Sequence, residues 1–168
     1  MFEHIRSDFV THERDLFRQG FWVMCVYRFG RWRYGIRFSL VRKFFSLLYK
    51  IAYKLVQILT GVELPCEAEL GDRFRIDHFG DIIISGYARF GDDCVVRNGV
   101  TVGLRHEREP AAPRIGHRVS IGAGAKVLGP ITLGDDVDVG ANAVVIHDVP
   151  ERHIAVGIPA RNIPKKTL

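Results

Sequence analysis

The sequence predicts a mainly β fold, a coil of hexapeptide rungs made of short parallel strands and entered through an α-helical segment. Three observations predict it. A large apolar residue recurs every six positions through Ile115, Ile121, Val127, Leu133, Val139 and Val145, and earlier through Leu70 and Ile76 and then Ile84, Phe90, Val96 and Val102. Gly71, Gly91, Gly116, Gly122, Gly134 and Gly140 each directly follow their recurring partner. Residues 1–60 lack this period and carry apolar residues at helical spacing instead. A period of six fits neither a 3.6-residue helix nor the two-residue alternation of a hairpin strand. It fits stacked triangular rungs, three hexads to a turn, with the recurring residue always facing inward. A sandwich with glycine-rich turns would let strand lengths drift. Each glycine is read as a corner residue that accepts positive φ and adds no side-chain volume. Spacing alone leaves the hand of the coil open.

The elements follow in order. Phe2 to Asp15 reads as a short amphipathic helix, and Gln19 to Arg37 is rich in aromatics and arginine. Phe38 to Thr60 carries Leu40, Phe44, Leu47, Leu48, Ile51, Leu55 and Ile58 at helical spacing, with Gly61 as its stop. The expected organisation is a basic, aromatic-rich helical segment at 1–60, the coil at 61–163 with a loop at 103–114, and a basic tail at 164–168.

Charge divides the chain the same way. No acidic residue lies between Asp15 and Glu63, a stretch that holds Arg18, Arg28, Arg31, Arg33, Arg37, Arg42, Lys43, Lys50 and Lys54. The net charge is +5, and the positive excess sits in the helical segment. The helices are expected either to pack on the coil and between subunits or to lay a cationic, aromatic face on anionic lipid. No uninterrupted apolar run has the length of a membrane-spanning helix, and no nucleic-acid motif accompanies the charge. Cys25, Cys66 and Cys94 have no metal-ligand spacing and read as small buried apolar residues. The polar opening from Met1 to Asp15 argues against a secretory signal, so the expected location is the cytoplasm, peripheral to the inner face of the membrane if the lipid reading holds.

Chemistry is expected where the six-residue period breaks. The first break, Asp77-His78-Phe79-Gly80-Asp81, adds two residues and sets a histidine between carboxylates. The second, 103–114, is a charged loop with Arg105, His106 and Arg108. A histidine is the usual base for a hydroxyl near neutral pH, best when a carboxylate fixes its other nitrogen. His78 has that context. His106 is second. His117 and His147 fall at corner or surface positions, and His4, His12 and His153 lack a constellation. A zinc enzyme on such a coil would need three histidines converging between subunits, here His78, His106 and His117, and no metal is expected. A non-catalytic scaffold is the other reading of the same pattern.

The runs Ile76-Asp77-His78, Gly86-Tyr87-Ala88, Gly91-Asp92-Asp93, Gly99-Val100-Thr101-Val102-Gly103, Ile121 to Gly129 and Val156-Gly157-Ile158-Pro159-Ala160-Arg161 resemble the serine acetyltransferase family. The resemblance implies a left-handed parallel β-helix of hexapeptide repeats. It implies a homotrimer or dimer of trimers, with active sites between neighbouring coils and acetyl-CoA as donor. It places the base on His78 and its orienting carboxylate on Glu63. Acids for the serine amine fall on Asp77 and Asp15, and small residues lining CoA on Ala123 and Ala141. Backbone N–H groups at Gly103 or Leu104 become oxyanion donors, and Arg161, Lys165 and Lys166 contacts for CoA phosphates. Two departures stand out. The family's Arg-His pair for the serine carboxylate is replaced by Ala111 and Ala112, leaving Arg105-His106 or Arg108 to substitute, and a family glycine is replaced by Leu104. Short chains of this kind resemble exopolysaccharide and capsule O-acetyltransferases. The expected acceptor is therefore a sugar hydroxyl, with L-serine as the alternative.

Overall fold

The computed structural model describes residues 2–106 and 111–166. Three helices come first: α1 (Phe2–Thr11), α2 (Gln19–Trp32) and α3 (Ser39–Thr60). The first stops earlier than expected, because residues 12–14 turn and Glu13 and Arg14 take positive φ. Gly61 ends α3 in the left-handed conformation at φ 64°, its N–H donating to the Gln57 carbonyl.

Fifteen short strands then wind into a β-solenoid with three sheets. Sheet A stacks β1 (Val62–Glu63), β4 (Ile82–Ile84), β7 (Thr101–Gly103), β10 (Lys126–Leu128) and β13 (Val144–Val145). Sheet B stacks β2 (Glu69–Leu70), β5 (Arg89–Phe90), β8 (Arg114–Ile115) and β11 (Thr132–Leu133). Sheet C stacks β3 (Arg75–Asp77), β6 (Val95–Arg97), β9 (Ser120–Ile121), β12 (Asp138–Val139) and β14 (His153–Gly157) in parallel. The last strand, β15 (Ala160–Pro164), turns back antiparallel on β14 and closes the stack. Arg161 therefore lies within this hairpin, paired with Val156, and not in a hexapeptide rung.

The six-residue residues sort into three vertical columns. Leu70, Phe90, Ile115 and Leu133 line sheet B, Ile76, Val96, Ile121 and Val139 line sheet C, and Ile84, Val102, Val127 and Val145 line sheet A. All but Leu70 are buried. A second inward set lies two residues earlier in each hexad, with Ala68, Ala88, Cys94, Ala125 and Ala143 filling the narrow corners.

The corner glycines have a different role from the one expected. None of the six takes positive φ. They are glycine because a Cβ would strike the rung above: at Gly91 it would lie 2.8 Å from the carbonyl carbon and oxygen of Gly116, and at Gly122 2.6 Å from the Ala141 nitrogen. Positive φ falls two residues later, at the sheet B–C corner, on Arg73, Asp93, Arg118, Asp136 and Arg152. These side chains alternate in sign up the stack. Arg73 grips Asp93 through two bonds of 2.6 and 2.7 Å, and Arg118 grips Asp136 at 2.7 and 2.8 Å. One position earlier, the Asp72 N–H donates to Asp92, the Asp92 N–H to His117 Nδ1 and the His117 N–H to Asp135. The corner is thus cross-linked rung by rung, in register.

The helices plug the open end of the coil. The Tyr27 hydroxyl donates to the Ala68 carbonyl at 2.9 Å and accepts from the Leu70 N–H, and the Cys66 N–H donates to the Tyr49 hydroxyl at 3.0 Å. First-rung backbone groups that would otherwise end in apolar packing are satisfied this way. A single core runs from Val23 and Met24 on α2 to Ala155 on β14.

The rung spacing gives a direct prediction. Gly91→Ala should destabilise the fold by roughly 1–3 kcal/mol through overpacking. Gly35→Ala, with nothing within 4 Å of an added Cβ, should stay within about 0.5 kcal/mol of wild type. Urea unfolding of the two variants measures both.

Candidate active site

The first break leaves the coil between β3 and β4, at the corner joining sheet C to sheet A. His78 sits there with φ 61° and Asp81 with φ 53°, so the backbone arches outward and holds the imidazole exposed. The corner beneath continues through the rungs. The Gly99 N–H donates to the Gly80 carbonyl, the Gly124 N–H to Asn98 and the Asn142 N–H to Ala123. His78, Ala123 and Ala141 thus share one edge of the coil. The two alanines sit one above the other in successive rungs and keep that edge shallow below the histidine.

Asp15 comes to the same place from the helical segment. A pocket of about 340 Å³ is lined by Asp15, Arg18, Gln19 and Phe17 on one side and by Ile76, His78 and Phe79 on the other. The Asp15 carboxylate is exposed and accepts the Phe17 N–H at 2.8 Å. Arg18 pairs with exposed Glu13. The pocket wall therefore carries an acid, a base and an imidazole.

The helices are locked to this corner by buried polar contacts that the sequence did not reveal. His12, assigned no constellation from sequence, is 1% exposed. Its Nδ1 donates to the Asp8 carbonyl at 2.7 Å, and its Nε2 accepts the Ile76 N–H at 3.3 Å. Both nitrogens are used, which fixes a neutral Nδ1–H tautomer, and the Ile76 contact lies two residues before His78. Burial holds the His12 pKa below its ordinary value. Asp8, fully buried, receives two bonds from Arg28 at 2.9 and 3.2 Å. Gly20 lets α2 approach, since a Cβ there would lie 2.6 Å from the Ile76 carbonyl and 2.9 Å from His12 Nε2. No sequence signal marked His12, because its backbone partner Ile76 lies 64 residues away.

Other expected residues fall elsewhere. Glu63 does not reach His78: no hydrogen bond or ion pair joins them among the described residues. Glu63 Oε2 instead accepts from Gln57 Nε2 at 3.1 Å, because the last turn of α3 delivers that amide beside β1. Asp77 faces outward from β3 and is held by Arg75 at 2.9 Å. Gly103 and Leu104 lie at the other end of sheet A, at its corner with sheet B, one three-residue strand or roughly 10 Å from the His78 corner. Arg105 and His106 are exposed at that same corner. Arg108 lies outside the described residues. Ala112 is buried, and Ala111 lines a separate surface pocket beside Tyr87 and Arg114. Lys165 is paired with Asp138 at 2.7 Å, which competes with any role toward phosphate. Arg161 is exposed. His78, His106 and His117 occupy three different corners, so one chain cannot converge them on a metal. Cys66 and Cys94 are buried and Cys25 half-buried, with burial raising the Cys25 and Cys94 thiols to about 11. A larger cavity of about 560 Å³, between α2 and the first rungs, is lined by Arg31, Trp32, Glu69 and Asp72 and holds none of the expected site residues.

Comparison with known proteins places the chain among hexapeptide-repeat transferases. Residues 112–147 match the family model described as bacterial transferase hexapeptide (six repeats). A serine acetyltransferase of Helicobacter pylori is 38% identical over 136 residues, covering 79% of this chain and 78% of that protein. One from Mycobacterium tuberculosis is 40% identical over 139 residues, and this chain spans 58% of its length. Among solved structures, the serine acetyltransferase of Brucella abortus in complex with coenzyme A superposes with a TM-score of 0.84 at 26% identity, covering 99% of this chain and 68% of that one.

The His12 lock makes stability pH-dependent in a defined direction. The folded chain holds His12 neutral, so its contribution is complete above the ordinary histidine value near 6.5 and is lost as pH falls from there toward the lower folded value. The urea midpoint of wild type should therefore drop between about pH 7 and pH 5, and it should drop less in His12→Gln, which keeps a donor and an acceptor but does not titrate.

Proposed function

Because this chain belongs to the serine acetyltransferase family, we propose that it transfers the acetyl group of acetyl-CoA directly to a hydroxyl, and that the hydroxyl is that of L-serine. The observation that carries the reading is the shared pocket of His78 and Asp15, at the head of the shallow edge formed by Ala123 and Ala141. The relatives reported above are named serine acetyltransferases, which turns the expected preference for a sugar hydroxyl toward the amino acid. The pocket chemistry supports the same choice. A zwitterion needs one anion and one cation, and Asp15 and Arg18 both line the wall. Arg18 takes the carboxylate role that Ala111 and Ala112 leave open. Its present partner, Glu13, is an exposed side chain and is cheaply displaced.

The thioester is already activated, so no covalent enzyme intermediate is required. The serine hydroxyl oxygen attacks the carbonyl carbon of the thioester as its proton passes to His78. The tetrahedral oxyanion collapses, the carbon–sulfur bond breaks, and the leaving thiolate takes the proton back from His78. The products are O-acetylserine and CoA. The positive-φ arch presents the imidazole while the rungs keep its base rigid. Donors at Gly103 and Leu104 of the same chain are a strand away, so their contribution to the oxyanion requires a neighbouring coil, as in the trimer the family implies.

Thiol release from acetyl-CoA, measured with L-serine and with a panel of free and nucleotide-linked sugars, tests this reading. Serine should be the best acceptor. His78→Ala should lose roughly 10²–10⁴-fold in turnover, and Arg18→Gln should raise KM for serine more than it lowers kcat. Turnover on a sugar with none on serine would overturn the acceptor, and near-wild-type activity in His78→Ala would overturn the base.

A further inference from the structure

Helix α3 is apolar on two opposite faces. One face meets the protein, through Phe45 against Trp32 and Phe29 and through Tyr49, Tyr53 and Val56 against the first rung. The other is exposed among the described residues. Leu40, Phe44, Leu47, Ile51, Leu55 and Ile58 recur at intervals of three and four along it, each at least half exposed. The helix is 22 residues long, and the stripe from Leu40 to Ile58 covers about 27 Å of it. Lys43, Lys50 and Lys54, all exposed, form a row along one flank, and Arg42 lies behind them. From Leu16 to Val62 there are nine basic residues and no acidic one. Among the described residues, no helix is long and apolar enough to cross a membrane.

We infer that α3 lies flat on an anionic lipid surface, with its outer stripe in the acyl–headgroup boundary and its lysine row on the headgroups. Two properties of the face select this occupant. An apolar stripe flanked by cations, on a helix that does not span, has the composition of an interfacial helix. The flank also has no acidic counterpart. Helices that pair in water set complementary charges beside their apolar seam, whereas α3 carries no carboxylate to meet a second copy's lysines, and an antiparallel pair would bring the two lysine rows together. The depth of the stripe supplies apolar partition, and each lysine adds roughly fivefold in affinity for an anionic surface. The solenoid would then stand off the membrane, with α3 between it and the lipid.

Co-sedimentation of the full chain with vesicles tests the inference independently of activity. Wild type should pellet with mixed phosphatidylserine–phosphatidylcholine vesicles, far less with phosphatidylcholine alone, and less as salt rises. The triple variant Lys43→Gln, Lys50→Gln, Lys54→Gln should bind roughly 100-fold more weakly. Leu47→Ser with Ile51→Ser should abolish binding while keeping the wild-type oligomeric state in analytical ultracentrifugation. Failure of wild type to bind anionic vesicles would overturn the inference. So would binding indifferent to the lysines, or a serine variant whose subunits fall apart, since the stripe would then be a contact between copies of this chain.

Discussion

The stacking distance between rungs is the constraint on which the rest of the molecule depends. Each rung lies one hydrogen-bonded strand spacing from the next. At the corners there is no room for even a methyl group, as Gly91 and Gly122 show. That leaves the sequence little freedom. An inserted residue inside a rung would throw every later side chain off its column, so additions are confined to corners. Here they fall at the sheet C–A corner as the His78 arch and at the sheet A–B corner between β7 and β8. The rigidity that forbids chemistry along the walls is what makes the corner interruptions usable sites.

The helical segment does more than close the core. Asp8, Arg28 and His12 form a buried polar set that fastens α1 and α2 to the strand leading into the arch. A buried pair of this kind adds little net stability but is costly to break, so it fixes where the helices sit. The turn after α1 then carries Asp15 to the pocket edge facing His78. Asp15 comes from the helical segment and His78 from the coil, and the His12–Ile76 bond ties the two parts together.

Much of the fold was legible because one interaction repeats. All twelve recurring residues fall into columns in the order the period demands, and Gly61 stops α3 where expected. The arch was legible as two surplus residues around an Asp-His pair. What could not be read depends on partners far apart in sequence or on single atoms. The steric role of the corner glycines needs the rung above. The capture of Glu63 by Gln57 and of Lys165 by Asp138 needs side-chain geometry. The return strand β15 carries no hexad signal, and His12 acquires its meaning only from a backbone N–H on β3. The proposed acceptor turned on comparison with relatives as well as on the pocket, since Ala111 and Ala112 pointed away from serine and the pocket that Arg18 and Asp15 share with His78 forms only in three dimensions.

The account stands on His78 meeting the acyl donor at the sheet C–A edge. A crystal structure of the full chain with bound CoA tests this most directly. The account predicts the pantetheine arm along Ala123 and Ala141, with its sulfur within reach of the His78 imidazole in the pocket shared with Asp15. A CoA sulfur seated in the larger cavity between α2 and the first rungs, or at any corner away from His78, would contradict it.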